Sequence, residues 1–404
     1  MFYDDFVVLS SGDTEERAWI LFVDSLGNMV TVLVFHPRFR WMAASLVVAA
    51  ACAAAQAPVS PPASVSTPRP MLWPAPLSPG DTIMFVAPAS ELDRERMLLA
   101  RDRLVARGYK VVMREDLFAR EGYLAGSDER RAEELMQAFL DPSVKAIFPG
   151  TGGYGTMRIL DRLDYAKIRA HPKIVVGFSD LTALHAALNR HAGLITFHSP
   201  NPMWGLGSED NLTAFSERWF FRAVEGKRGD YEIEIPPPAA GKSGEPDPRT
   251  DVPQPITLGK GKARGRLVGG NLSLVSALEG TPYAIEAEGA ILLLEDTREA
   301  PYRVDRMLRQ LQLAGKLGQI RGAVLGQFTN NYDREDETRD PDPRFTVDGV
   351  LRQYFEGAGI PVLMNFPLGH FPMNATLPLG ADVEIDAERG TLTVLAPAAD
   401  AVGR

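Results

Sequence analysis

The chain has a single cysteine, Cys52, in 404 residues. That excludes an intramolecular disulfide framework and a cysteine-built zinc site. Histidine is scarce too: the six present show no H-E-x-x-H spacing, so the sequence predicts catalysis without a metal or other cofactor. Basic charge is in deficit, with 43 Lys and Arg against 52 Asp and Glu and a net charge of -9. Phosphate backbones need a concentrated basic face, and none is found, so nucleic acid is excluded as a partner and a small molecule or peptide becomes the default. Long apolar runs are lacking as well. The longest candidate, residues 42–55, falls short of the roughly 20 that span a bilayer, so no stable membrane span is expected. What remains is a chain 45% hydrophobic, long enough for two domains with ordinary cores.

Residues 1–79 read as a signal-like segment and a tether rather than as fold. Arg38-Phe39-Arg40-Trp41 supplies positive charge, residues 42–55 a small apolar run, and Ala53-Ala54-Ala55-Gln56-Ala57 several A-x-A cleavage choices. Together they predict a secretory signal peptide and a periplasmic or exported protein, with a cytoplasmic location as the alternative. A Pro/Ala-rich tether, 58–79, follows. Cys52 after Ala49-Ala50-Ala51 is a poor version of a lipidation signal and the weaker reading. Because residues 1–35 precede the signal-like segment, Met42 or a nearby upstream codon is the expected start.

From residue 81 onward, short apolar runs alternate with helix-patterned segments. Strands are expected over 82–86, 110–113, 146–148, 174–176 and 194–197, with helices over 92–107 and 129–140 and others starting near 156 and 181. Strict alternation predicts an α/β fold: an N-terminal doubly wound parallel-sheet domain over 80–225, with active residues beyond the carboxyl ends of its strands. Residues 226–262 lose periodicity and gain Pro236-Pro237-Pro238 and Pro253-Gln254-Pro255, which is linker composition. Residues 263–396 resume as a smaller C-terminal mixed α/β domain. No internal repeat is present.

The most informative turn is Gly177-Phe178-Ser179-Asp180-Leu181 after the β-branched run Ile174-Val175-Val176. A sharp strand-to-helix turn exposes a serine Oγ and aims the first helical N–H groups at a developing oxyanion. Serines before helices cap them far more often than they attack, so this turn alone decides nothing. Upstream, Gly150-Thr151-Gly152-Gly153-Tyr154-Gly155 formally matches the dinucleotide fingerprint G-x-G-x-x-G. It occupies the third strand-turn-helix unit instead of the first, and the next strand ends in glycine where a ribose-binding acid belongs. An oxyanion hole or a carboxylate site suits the loop better, and a nucleotide-binding oxidoreductase is the lesser reading. His185 lies within the helix after Ser179 and reads as a packing or surface residue. His198, after its strand, and His370, in Gly369-His370-Phe371-Pro372, are both credible bases, and chain geometry leaves the choice open. Glu295 and Asp296 end the buried-type strand 291–294; either could orient an imidazole, and Asp296 could instead cap the next helix.

These motifs carry a resemblance. Gly152-Gly153-Tyr154-Gly155, Leu160-Asp161-Arg162-Leu163, Gly177-Phe178-Ser179-Asp180-Leu181-Thr182, Gly269-Gly270-Asn271-Leu272, Leu294-Glu295-Asp296 and Gly369-His370, in that order over roughly 78–396, resemble the LD-carboxypeptidases, the murein tetrapeptide carboxypeptidase family of serine peptidases. The resemblance implies Ser179 as nucleophile, Glu295 as orienting acid, His370 as base, and the backbone N–H groups of Gly153 and Asp180 as oxyanion hole. It further implies hydrolysis of the bond between meso-diaminopimelate and terminal D-alanine in peptidoglycan tetrapeptides, and a homodimer. A subgroup cleaves peptide-nucleotide antibiotics instead, and a non-catalytic muropeptide-binding protein on the same scaffold is the alternative. Tyr154, Asn271 and His198 are candidate substrate contacts. The turn His198-Ser199-Pro200 departs from the family's histidine-glycine-proline, and the 226–262 stretch is longer than usual.

Overall fold

The computed structural model describes residues 70–237, 250–330 and 342–397, with the backbone of two strands nearer the N-terminus. Those two, β1 (Ala18–Val23) and β2 (Met29–Phe35), pair antiparallel as a separate unit. The signal-like residues 38–57, Cys52 included, and most of the tether lie outside the described residues.

The second unit carries two sheets, and the chain builds the first by alternation. Strands β3 (Thr82–Val86), β4 (Lys110–Val112), β5 (Val144–Pro149), β6 (Ile174–Gly177) and β7 (Thr196–His198) are all parallel. Helices α1 (Arg94–Ala106), α2 (Asp128–Leu140), α3 (Tyr165–Ala170), α4 (Thr182–Ala187) and α5 (Ala214–Glu225) accompany them. Their starts are chemically marked: Asp93 caps α1 by accepting from Arg96 N–H, and Ser127 caps α2 by accepting from Arg130 N–H. Every residue of β6 is buried, as a strand covered on both faces requires. The spatial order β7-β6-β5-β3-β4 reverses between β3 and β5. A doubly wound sheet opens its ligand crevice there, beyond the carboxyl ends of the strands.

The second sheet has eight strands. β10 (Lys262–Asn271), β11 (Ile291–Thr297), β12 (Gly322–Thr329) and β13 (Val362–Met364) run parallel in its centre, with helices α6 (Leu272–Ala277), α7 (Pro301–Leu313) and α8 (Val347–Phe355) between or after them. β8 (Tyr231–Glu232), β15 (Asp382–Asp386) and β16 (Thr391–Val394) extend one side, and β9 (Ile256–Leu258) closes the other. The long β10 serves two partners: Lys262 to Arg266 pair antiparallel with β15, and Leu267 to Asn271 pair parallel with β11.

Two features depart from the sequence expectation. Both ends of the stretch read as linker, 226–262, are edge strands of the second sheet, β8 and β9. They are short and proline-flanked, so no alternation could register. The strand β14 (Leu377–Leu379), late in the chain, crosses back and pairs antiparallel with β7 of the first sheet. Its Pro378 is tolerated because this is an edge. Phe148 and Val176 of the first sheet share one apolar cluster with Leu267 and Leu293 of the second and with Leu377, so the two sheets are welded by a continuous core.

Candidate active site

Ser179 sits where β6 gives way to a single 3-10 turn and then α4, and its φ is +65°, in the left-handed region. A non-glycine residue is held there only when its surroundings enforce it, and such outliers cluster at functional sites. The loop after β5 is one of those surroundings. A Cβ on Gly152 would stand 3.0 Å from Ser179 Cβ and 3.1 Å from the Asp180 nitrogen, so only glycine lets the loop lie this close. The Gly153 N–H has no backbone acceptor among the described residues, while Tyr154 N–H donates to Ser90 Oγ at 3.1 Å.

The other half of the site comes from the second sheet. Ser179 Oγ–H donates to His370 Nε2 at 3.1 Å, and His370 Nδ1–H donates to Glu295 Oε2 at 2.7 Å. Glu295 is 0% exposed and also accepts from the His370 backbone N–H at 3.2 Å and from Asn271 Nδ2 at 3.4 Å. Gly369 makes this seat available: its φ is +102°, and a Cβ there would stand 2.7 Å from Glu295 Oε2. Burial alone would raise the Glu295 carboxyl, but the His370 charge and hydrogen bond outweigh it, and the group is held below its ordinary value. For His370 burial alone would depress the imidazole, and Glu295 more than compensates, so its pKa is raised.

Behind Glu295 lies a second buried carboxyl. Asp296 accepts from Asn271 Nδ2 at 3.0 Å, Ser273 N–H at 2.9 Å, Ser273 Oγ at 2.8 Å and Thr297 N–H at 2.8 Å. Burial, then the neighbouring Glu295 charge, push it up to about 6. Asn271 caps α6 through Leu274 N–H and accepts nothing from the cavity; its backbone N–H donates to Thr182 Oγ1 at 2.9 Å, binding α4 to β10.

The catalytic-type groups open on a cavity of about 900 Å³ lined from both sheets, by Ser90, Thr151, Gly152, Gly153 and Ser179 on one side and Thr297, Arg298, Asn330 and His370 on the other. Trp204, 43% exposed, adds an indole fixed by its Nε1–H donating to Thr151 Oγ1 at 3.1 Å. The structure thus brings Ser179, His370, Glu295 and the Gly153 loop together. It does not bring the three candidate substrate contacts to the cavity. Tyr154 is 48% exposed but stands edge-on to Tyr123 outside the lining. Asn271 is occupied behind Glu295. His198 is 0% exposed, packed edge-on to Phe178, with neither ring nitrogen partnered among the described residues. Burial lowers its pKa to about 4, so it is a neutral core ring rather than a base. His185 is likewise buried, its Nε2–H donating to the Gly177 carbonyl at 2.9 Å. Thr297 and Arg298 were not anticipated by the motif; the available signal was their place just past the carboxyl end of β11.

Among the described residues, no group of three or more His, Cys, Asp or Glu could hold a metal ion, and no helix is long and apolar enough to cross a membrane.

The model of the LD-carboxypeptidase N-terminal domain matches residues 83–199, and that of the LD-carboxypeptidase C-terminal domain matches residues 264–385. A probable murein peptide carboxypeptidase of Bacillus subtilis is 36% identical over 324 residues, which is 80% of this chain and 93% of that protein. Among solved structures, the microcin C7 self-immunity protein MccF superposes with a TM-score of 0.70 at 28% identity, covering 81% of this chain and 98% of its own. A muramoyltetrapeptide carboxypeptidase from Oxalobacter formigenes gives 0.63 at 28% identity, over 78% of this chain and all of its own, 100%.

Proposed function

Since the chain belongs to the LD-carboxypeptidase family and is a peptidase hydrolase of the carboxypeptidase kind, we propose that it is serine-type and removes the terminal D-alanine from the meso-diaminopimelate of peptidoglycan tetrapeptides. One observation carries this reading: the unbroken relay from Ser179 Oγ through the His370 ring to buried Glu295, at 3.1 and 2.7 Å.

In the proposed mechanism Ser179 Oγ attacks the scissile carbonyl and His370 Nε2 takes its proton. Glu295, already anionic, holds the ring with Nδ1–H pointing inward and stabilises the imidazolium that forms. The oxyanion is received by the N–H groups of Gly153 and Asp180; a fixed donor of this kind contributes on the order of 3 kcal/mol. His370 then gives the proton to the departing amine. Water, deprotonated by the same nitrogen, attacks the acyl-enzyme and regenerates Ser179.

A second reading within the family, hydrolysis of a peptide-nucleotide conjugate, draws on the likeness to MccF and on Trp204, whose fixed indole offers a stacking face on the cavity. The decisive assay is release of D-alanine from a disaccharide tetrapeptide. Wild type is expected to release it, and Ser179→Ala and His370→Ala to lose at least about 10⁴-fold in kcat. Full activity in either variant would disprove the assignment, while tetrapeptide binding without any release would favour a muropeptide-binding protein. Export belongs to the same proposal, and N-terminal sequencing of protein from fractionated cells is expected to find a mature end within 54–58.

A further inference from the structure

A carboxypeptidase must tell a free terminal carboxylate from a continuing chain, and the cavity holds one residue equipped to do so. Among its described lining residues, Arg298 is the only lysine or arginine, whereas the lining includes two carboxylates, Glu91 and Asp93. Among the described residues, no hydrogen bond or ion pair is made by its guanidinium. Arg298 is exposed to the cavity, and its five side-chain N–H donors have no partner among the described residues. Its backbone is set with care. Arg298 has φ +63°, and its N–H donates to the Thr329 carbonyl at 2.9 Å. Thr329 Oγ1–H in turn donates to the His370 carbonyl at 3.1 Å, so the arginine is indexed to the proposed base. Of the four non-glycine residues with positive φ among the described residues, Ser179, Arg298 and Asn330 line this cavity. Strain of that kind is retained where it positions a group.

We propose that Arg298 receives the free α-carboxylate of the departing D-residue and so sets the exopeptidase specificity. The inference rests on the hydrolase reading above. Chemistry favours this side of the cleft: the amine that His370 must protonate and the terminal carboxylate hang on the same α-carbon, and Arg298 lines the same cavity as His370. A planar guanidinium can hold it through two parallel N–H···O bonds, where an ammonium would give only a point charge.

The test is binding by calorimetry in a Ser179→Ala background, where turnover plays no part. The probes are the tetrapeptide L-Ala-γ-D-Glu-meso-diaminopimelate-D-Ala, its C-terminal amide, and the acid with lysine in place of diaminopimelate. The Ser179→Ala protein is expected to prefer acid over amide about 30-fold, the size of a charge-assisted pair. Adding Arg298→Gln should erase that preference while the amide binds as before, which also shows the variant is folded; Arg298→Lys should restore part of it. An acid preference that survives Arg298→Gln overturns the proposal. So does an Arg298→Gln defect that vanishes with the lysine peptide, since the arginine would then serve the diaminopimelate carboxylate. Wild type that fails to release D-alanine, while Arg298→Gln still erases the acid preference, would sink the hydrolase reading and leave Arg298 as a carboxylate receptor.

Discussion

At the scale of single residues, protonation of His370 is the quantity the site controls. Its pKa is raised, chiefly because Glu295 outweighs the burial that would lower it, and Asp296 adds to the rise. The base must be neutral to accept a proton, so kcat/KM is expected to fall on the acid side, with an apparent pKa above the ordinary imidazole value of about 6.5. Asp296→Asn removes one negative charge and should move that limb to lower pH in a pH-rate profile. A limb that stays in place would show that Asp296 does not act on the ring. Linkage runs the same way: a raised imidazole pKa contributes stability below about 6.5 that is lost as pH rises through the folded value. Much of the serine's half was legible in the sequence, because Gly177-Phe178-Ser179-Asp180 states strand end, nucleophile and helix start in one local run. The base was not. His198 and His370 each follow a strand near the expected edge, and only the resemblance favoured His370. What separates them is three-dimensional: His198 is sealed under Phe178, while Gly369 lets His370 lie directly on Glu295.

At the scale of elements, the parallel strands announced themselves because buried runs such as Ile174-Val175-Val176 and Ile291-Leu292-Leu293-Leu294 have no other use. The helix Ala214–Glu225 has no counterpart among the sequence expectations, although Phe215, Trp219, Phe220 and Phe221 are buried along it. Each such ring contributes on the order of 2 kcal/mol of burial. Strands β8, β9 and β14 were invisible for the opposite reason, being two or three residues long at sheet edges. The loop at Gly369 offers the sharpest test at this scale. Gly369→Ala places a methyl group 2.7 Å from Glu295 Oε2 at a backbone angle that disfavours it. Expected outcomes are a loss of about 1–3 kcal/mol in stability and a fall in kcat well beyond what that loss explains, with far-UV circular dichroism unchanged. Activity equal to wild type would mean the seat on Glu295 is not required.

For the whole molecule, the alternation of strands and helices correctly gave an α/β fold with a parallel sheet first and a mixed sheet second. It could not show that the two sheets share one core, since Phe148, Val176, Leu267 and Leu293 lie in one apolar cluster only after the chain has returned through β14. A shared core and a strand returned from late in the chain to the first sheet predict a single cooperative thermal transition of the unit Arg69–Arg404, with fluorescence and far-UV circular dichroism tracing the same curve. Two resolved transitions would contradict it.

The separation of Ser179 from His370, 191 positions along the chain, has a consequence for how the protein comes into being. During synthesis the nucleophile's half emerges first, and on the proposed mechanism it does so unarmed, since its base is still inside the ribosome. A truncated or stalled product would carry the serine with nothing to deprotonate it. On that mechanism, premature hydrolysis by unfinished copies is precluded by the order of translation alone.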